Sequence, residues 1–257
     1  MTQDRAAPDF RAVMTELLAA RDVASVWRIW ADTLERLGLT NLLYGATRIP
    51  TWGIIGDGQD ALILYRGPQS YADVYLGEEL YLNSATYDWA NENSGFVSWP
   101  EAIAQQKGGA PTPAQMKILQ LNIAHGCLAG FVGSLNDVVP GMRGVIGLSP
   151  GGGMMQPEAD ALWDRVGEDV EMLCRLAHLR IGSLPQTPQR RPLTSRQREV
   201  LSWCAQGKTM QDVATIMDLS IATVEKHLRM AREALNASTT AHAVQKAVSL
   251  NLLVEQA

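Results

Sequence analysis

LTSRQREVLSWCAQGKTMQDVATIMDLSIATVEKHLRMAREALNASTTAHAVQKAVSLNL, residues 193–252, carries the pattern on which the reading of this chain turns. Thr209 is placed to cap a helix from Met210 to about Met217, its hydroxyl accepting from a first-turn amide that has no helical partner. Asp218-Leu219 breaks that helix, and Ser220 can cap the next. In the second helix Val224, Leu228, Ala231 and Leu235 recur at steps of four, three and four, an apolar ridge turned to a core. Ala222, Glu225, Lys226, Arg229 and Arg232 fall on the opposite side. A helix with an apolar back and Arg and Lys on its free face suits the major groove of DNA. Guanidinium groups there bond guanine edges bidentately, and Lys neutralises phosphate. Upstream, Thr194 and Gln197 have capping-box spacing. Downstream, a last helix beginning near Ser238 carries Ala243, Val244, Ala247, Val248 and Leu252 on a broad apolar face.

At these positions the chain resembles the LuxR-type helix-turn-helix. The residues that carry the resemblance are Leu193-Thr194, Glu199, Leu201, Gly207-Lys208-Thr209, Val213-Ala214, Ser220, Thr223-Val224 and His227-Leu228. Met210 stands where Asn is common, and Asp212-Val213 replaces Glu-Ile; Lys-Thr-Met and Arg-x-Ala variants similar to those here occur in the TraR-like branch of the quorum-sensing regulators. The resemblance implies that Lys208, Thr209, Thr223, Glu225, Lys226, Arg229 and Arg232 face DNA. Glu225, Lys226 and Arg229 are expected at base edges, with Glu225 accepting from cytosine or orienting Arg229. Thr209, Thr223 and Arg232 are expected at phosphate. It also makes the last helix the one by which two such domains pair on DNA.

Net charge over the 257 residues is −5, which by itself argues against a DNA-binding protein. The distribution reverses that reading. Residues 190–257 hold nine Lys or Arg against six Asp or Glu, a net +3 that leaves −8 for the remainder. The nucleic-acid surface therefore belongs at the C-terminus, and its modest charge calls for two copies on one site. Apolar content of 46% with 19% charged residues is globular, and the length favours two domains. The three cysteines, Cys127, Cys174 and Cys204, form no CxxC and make no disulfide framework or zinc site. With no signal pattern and no membrane-length apolar run, a cytoplasmic protein is expected, with no metal and no membrane partner.

In chain order, residues 1–8 read as a loose tail. Asp22 caps a helix with Val23, Trp27, Trp30, Leu34 and Leu37 on one face, ending at Gly38. Residues 42–47 and 61–65 read as strands around a turn-rich loop, 49–60. Residues 71–99 are unusually aromatic, and Tyr71, Tyr75 and Leu82 are candidates for one wall of a small-molecule pocket or, equally, for plain core. Residues 112–125 read as a helix capped by Thr112 with Pro113 at its first position. Strands at 128–135 and 143–148 follow. A long helix, 158–181, has Leu162, Val166, Val170, Leu173, Ala177 and Ile181 on one face. Alternating helices and short strands suggest an α/β/α sandwich. GSLPQTPQRRP, residues 182–192, is a linker in which Arg190 and Arg191 either reach phosphate or stay solvated.

Residues 71–99 also resemble the acyl-homoserine-lactone-binding domain of the same regulators. Tyr75 and Trp99 match the family's pocket tyrosine and second tryptophan. Tyr71 stands for the family's lactone-binding Trp; its phenol can still donate that bond. Ser84-Ala85 stands for an Asp-Pro whose carboxylate accepts the ligand amide N–H, a charge-assisted bond of about 1.5–3 kcal/mol that serine makes more weakly. Taking Asp88 as that carboxylate would need a four-residue gap. Thr86 matches a polar pocket position, and Gly147 falls where the family often has Ser or Thr. These changes imply a ligand without the amide, another acceptor, or a retuned pocket. In the family, helices of this domain take part in the dimer interface; packing of helix 158–181 on its own sheet is the other reading.

Enzymatic patterns fail in the sequence. Gly207-Lys208-Thr209 ends like a phosphate-binding loop, but Ser202 sits where its first glycine is required and no strand precedes it. His125 and Cys127 lack a third, orienting group. A phosphorylated receiver domain would need an acidic pair after a first strand, and none is present.

The reading is an α+β chain: a ligand-binding α/β/α sandwich over 9–181, a linker over 182–192, and an all-α helix-turn-helix domain over 193–257. It is expected to be a non-enzymatic, homodimeric transcription factor of the quorum-sensing type. Its partners are double-stranded DNA with two half-sites and a small acylated signal, of which an acyl-homoserine lactone is one candidate. No other cofactor is expected. Tyr71, Tyr75, Ser84, Thr86, Trp99 and Gly147 are the expected ligand contacts. The alternative is a regulator that needs no ligand and works by constitutive DNA binding or heterodimerisation.

Overall fold

A computed structural model describes residues 8–48, 61–106, 111–185 and 192–253. The expected tail up to residue 7, the loop 49–60 and most of the linker lie outside the described residues. The chain divides into two compact units, 1–182 and 183–257.

The first unit is built on a five-stranded antiparallel sheet: β1 (Asn41–Thr47), β2 (Leu62–Arg66), β3 (Gly95–Ser98), β4 (Phe131–Ser134) and β5 (Arg143–Ser149), in the order β2-β1-β5-β4-β3. Strand alternation sends Leu42, Tyr44 and Ala46 of β1 and Ile146 and Leu148 of β5 into a buried layer. That layer is closed by α1 (Phe10–Ala19), α2 (Val23–Arg36) and α7 (Gln156–Ser183). Trp30 of α2 meets Tyr44 edge-on at 5.1 Å, and Trp163 of α7 stacks on Phe131 at 4.1 Å. The Tyr44 hydroxyl lies 2.7 Å from Nδ1 of His178 on α7. Gly144 makes this contact feasible, since a Cβ there would sit 2.4 Å from the imidazole.

The other sheet face is covered by α3 (Gln69–Tyr75), a 3-10 turn (Leu80–Asn83), α4 (Ala85–Glu92), α5 (Trp99–Ala104) and α6 (Pro113–Ala124). Trp89, Ala90, Val97, Ala102 and Val132 form a small core on this side, and Ser134 Oγ donates to the Ala90 carbonyl at 2.8 Å. The α/β/α sandwich is thus complete, with each layer made from alternate residues of the same strands.

Several elements depart from the sequence expectation. α1 and β3 went unread. β4 starts at Phe131, not Leu128: the Gly130 carbonyl still accepts from the Trp99 amide at 2.9 Å in the β3–β4 register, but its N–H is diverted to Gln156 Oε1 at 3.1 Å, which ends the ladder. On α7, Leu162 and Val166 are half-buried, while Cys174 and His178 join the buried face.

The second unit holds α8 (Ser195–Ala205), α9 (Met210–Ile216), α10 (Ile221–Ala234) and α11 (Thr240–Ser249). Thr194, Thr209, Ser220 and Thr239 cap them in turn, and Thr194–Gln197 and Thr209–Asp212 are full capping boxes. Asp218, at φ 52°, takes the left-handed conformation that ends α9, and the Leu219 amide reaches back to the Ala214 carbonyl at 2.9 Å. Val200, Leu201, Val213, Val224, Leu228 and Ala231 form one buried cluster between these helices. The apolar face expected on the last helix splits: Ala243 and Ala247 enter this core, while Val248 is 54% exposed.

Candidate functional sites

On the first unit, α3, the start of α4, α5 and α6 wall a chamber of about 330 Å3. Tyr71 and Tyr75 stand one turn apart on α3, their rings 5.3 Å apart and nearly parallel. Tyr65 of β2 stacks on the far side of Tyr71 at 6.3 Å, and His125 meets its edge at 5.5 Å. The Tyr71 hydroxyl donates to Asn122 Oδ1 at 2.9 Å. Burial raises the Tyr71 phenol far above its ordinary pKa and pushes Tyr75 up to about 12, so both remain protonated at neutral pH.

Ser84 occupies the N-cap position of α4 but does not cap it. Its hydroxyl is buried and lies 2.6 Å from Thr86 Oγ1, on the wall that Tyr75 shares. A serine at an N-cap ordinarily satisfies a helix amide; this one is committed to a hydroxyl cluster on the chamber wall. Trp99 lends its ring to the chamber and spends its N–H on the Phe131 carbonyl at 3.0 Å.

Five of the six expected ligand residues, Tyr71, Tyr75, Ser84, Thr86 and Trp99, therefore line one chamber. Gly147 lines a smaller cavity of about 70 Å3 against the sheet, which shares Tyr75 and Thr86 with the first. Leu82 does not join them. It borders a separate polar cleft with Asp88, Asn91 and Arg143. Asp88 likewise lies outside the chamber, its pKa raised by burial.

The sequence reading missed the contribution of α6. Met116, Ile118, Leu119 and Asn122 line the chamber, and no α6 residue is buried. The signal was present: MKILQLNIA is too apolar for a solvated helix, yet its apolar residues form no single stripe. His125 and Cys127 make no thiolate pair. His125 Nδ1 faces the Leu121 carbonyl and Nε2 faces Ser70 Oγ, while burial raises the Cys127 pKa.

On the second unit, Lys208, Thr209, Glu225, Lys226 and Arg229 are exposed, and Thr223 is half-buried. Lys208 and Thr209 stand at the start of α9, and Thr223 hydrogen-bonds to the Ser220 cap at the start of α10. Arg229 is 63% exposed, with Glu233 at 4.0 Å. Its carboxylate neighbour is thus Glu233, one turn on. Arg232 is half-buried, and its Nη1 donates to Thr240 Oγ1 at 3.0 Å, tying α10 to α11. Among the described residues no group of His, Cys, Asp and Glu could hold a metal ion, and no helix is long and apolar enough to cross a membrane.

Comparison with known proteins gives the same division. Residues 22–181 match the sequence model of the autoinducer binding domain, and residues 191–247 match that of the bacterial regulatory proteins of the luxR family. The transcriptional activator protein SolR of Ralstonia nicotianae is 23% identical over 96% of this chain and 99% of its own length. The quorum sensing-dependent transcriptional regulator RpaR of Rhodopseudomonas palustris is 36% identical over 33% of this chain and 35% of its own. The crystal structure of Escherichia coli SdiA shares the fold with a TM-score of 0.56 at 17% identity, covering 96% of this chain and 98% of that one. A second SdiA structure, in complex with octanoyl-rac-glycerol, gives 0.51 at 17% identity over 97% and 99%. The chain belongs to the luxR family of bacterial regulatory proteins and is a DNA-binding transcriptional regulator of quorum-sensing type that carries an autoinducer-binding domain ahead of its helix-turn-helix.

Proposed function

We propose that a small acylated signal fills the chamber walled by α3 to α6, and that this completes the core of the first unit. The observation that carries the reading is α6: Met116 and Leu119 are 42% and 50% exposed while facing a cavity lined by Tyr71, Tyr75 and Trp99. An apolar chain laid between them removes both from water and stabilises the bound state by mass action. An acyl-homoserine lactone is one candidate; SdiA, a distant fold relative, has been solved with an acylglycerol. The regulator then acts in the cytoplasm as a homodimer that presents two α10 helices to half-sites about one helical turn apart. Exposed Met172 and Leu179, seven residues apart on α7, support an interface on that helix. Glu225, Lys226 and Arg229 contact base edges, and Lys208, Thr209 and Thr223 contact phosphate.

Thermal unfolding of the full chain against N-acyl homoserine lactones and other acyl or aryl signals tests this. At a hundredfold excess over Kd, a buried ligand adds about 2.7 kcal/mol. A stable protein that shifts with none of them yet binds DNA overturns the ligand reading in favour of the ligand-independent regulator.

A further inference from the structure

Resting on the ligand reading above, the geometry points to a signal recognised through its carbonyl oxygens, with no charged acceptor for an N–H among the described residues: the chamber binds an ester-linked acyl group as well as an amide-linked one. We infer this from which hydrogen-bonding groups remain unspent at its wall.

Tyr75, Ser84 and Thr86 bring three hydroxyl hydrogens to one wall, and the Ser84–Thr86 bond uses one of them. Hydroxyl hydrogens are thus left to donate to the ligand. Asn122 accepts from Tyr71 through Oδ1, which leaves its amide hydrogens to donate. The acceptors are all neutral. Gln106 Oε1 receives Gln115 Nε2 at 3.1 Å, and Gln115 Oε1 receives the Thr112 amide at 2.9 Å, each oxygen keeping a second lone pair. Among the described residues lining the chamber none carries a formal charge. The wall thus presents donors and offers a ligand N–H only neutral oxygens. A ligand carbonyl is satisfied on entry. A ligand N–H gives up its bonds to water and finds nothing charge-assisted in return.

The two probes are an N-acyl homoserine lactone and the lactone of the same chain length in which an ester oxygen replaces the amide nitrogen. They are compared as hexanoyl, octanoyl and dodecanoyl forms by calorimetric titration of the full chain. The expected result is a pair of dissociation constants within about threefold of each other at the best chain length. In Ser84→Asp, which supplies a carboxylate acceptor, the ratio moves about tenfold or more toward the amide. In Ser84→Ala it stays near unity. A wild-type protein that prefers the amide more than about tenfold overturns this inference and leaves the ligand reading standing. A folded, DNA-binding protein that takes up neither compound, and is stabilised by no other acyl or aryl signal, overturns the ligand reading and this inference together. The wild-type ratio decides the matter even where Ser84→Asp does not fold.

Discussion

Arg229 and Arg232 are three residues apart on α10 and do different work. Arg229 projects from the exposed face with only a distant Glu233 to hold it, so its guanidinium is free to fork onto a base. Arg232 is fastened to Thr240 at the start of α11. Arg229→Ala is expected to weaken specific DNA binding by about 1–3 kcal/mol and to relax base preference at one position, with the domain's melting temperature unchanged. Arg232→Ala is expected to lower that melting temperature, by about 1 kcal/mol of stability, through loss of the tie to α11. Quantitative gel shifts over a set of single-base operator variants, run beside thermal melts, separate the two. Equal loss on all sequences for Arg229→Ala would make it a phosphate contact. Sequence spacing put both arginines on one face; it could not register that the first residue of the next helix lies within reach of only one of them.

At the scale of elements, α6 lines the chamber and, on the proposed ligand reading, is the part whose burial depends on what occupies it. Its capping box and Pro113 fix its start, but none of its side chains is buried. Leu119→Ser is therefore expected to leave the melting temperature of the ligand-free protein within about a degree, since little apolar area is lost. The same change is expected to cut the ligand-induced stabilisation by about 1–2 kcal/mol. A large fall in the ligand-free melting temperature would show that Leu119 already belongs to the core. Elements with a single strong period, such as α2 and α10, were legible because one face is buried and the spacing says so. α6 was legible as a helix and silent about its role, because its apolar residues form no single stripe. α1 was obscured by a short, mixed sequence, and β3 by its brevity, four residues inside an aromatic run.

For the molecule as a whole, two units with opposite charge balance reflect two jobs, and the charge split from residue 190 onward made the boundary readable before any coordinates. The buried polar contact at the centre of the first unit was not readable, since Tyr44 and His178 are 134 residues apart and each looks like ordinary core. Burial, with Arg48 nearby, lowers the His178 pKa to about 4, against the ordinary value of 6.5 in the unfolded chain. Between those values the unfolded state binds the extra proton, so stability present above about pH 6.5 drains away as pH falls toward 4. The loss is on the order of 2–3 kcal/mol. Denaturant unfolding at stepped pH checks this. His178→Gln is expected to flatten that limb, and an unchanged slope would assign the acid sensitivity to carboxylates instead.

Gly147 differs from two other sheet glycines, Gly133 and Gly144, in one consequential way. A methyl group at Gly133 or Gly144 would collide with an aromatic or imidazole ring at 2.2 or 2.4 Å, whereas at Gly147 the nearest atom is the Leu43 carbonyl oxygen at 3.9 Å. Glycine codons become alanine or valine codons by a single base change. The depth of this small cavity is thus one mutation from being reset without a collision at the new Cβ, and on the proposed ligand reading that is a short route to a regulator that answers to a different chain.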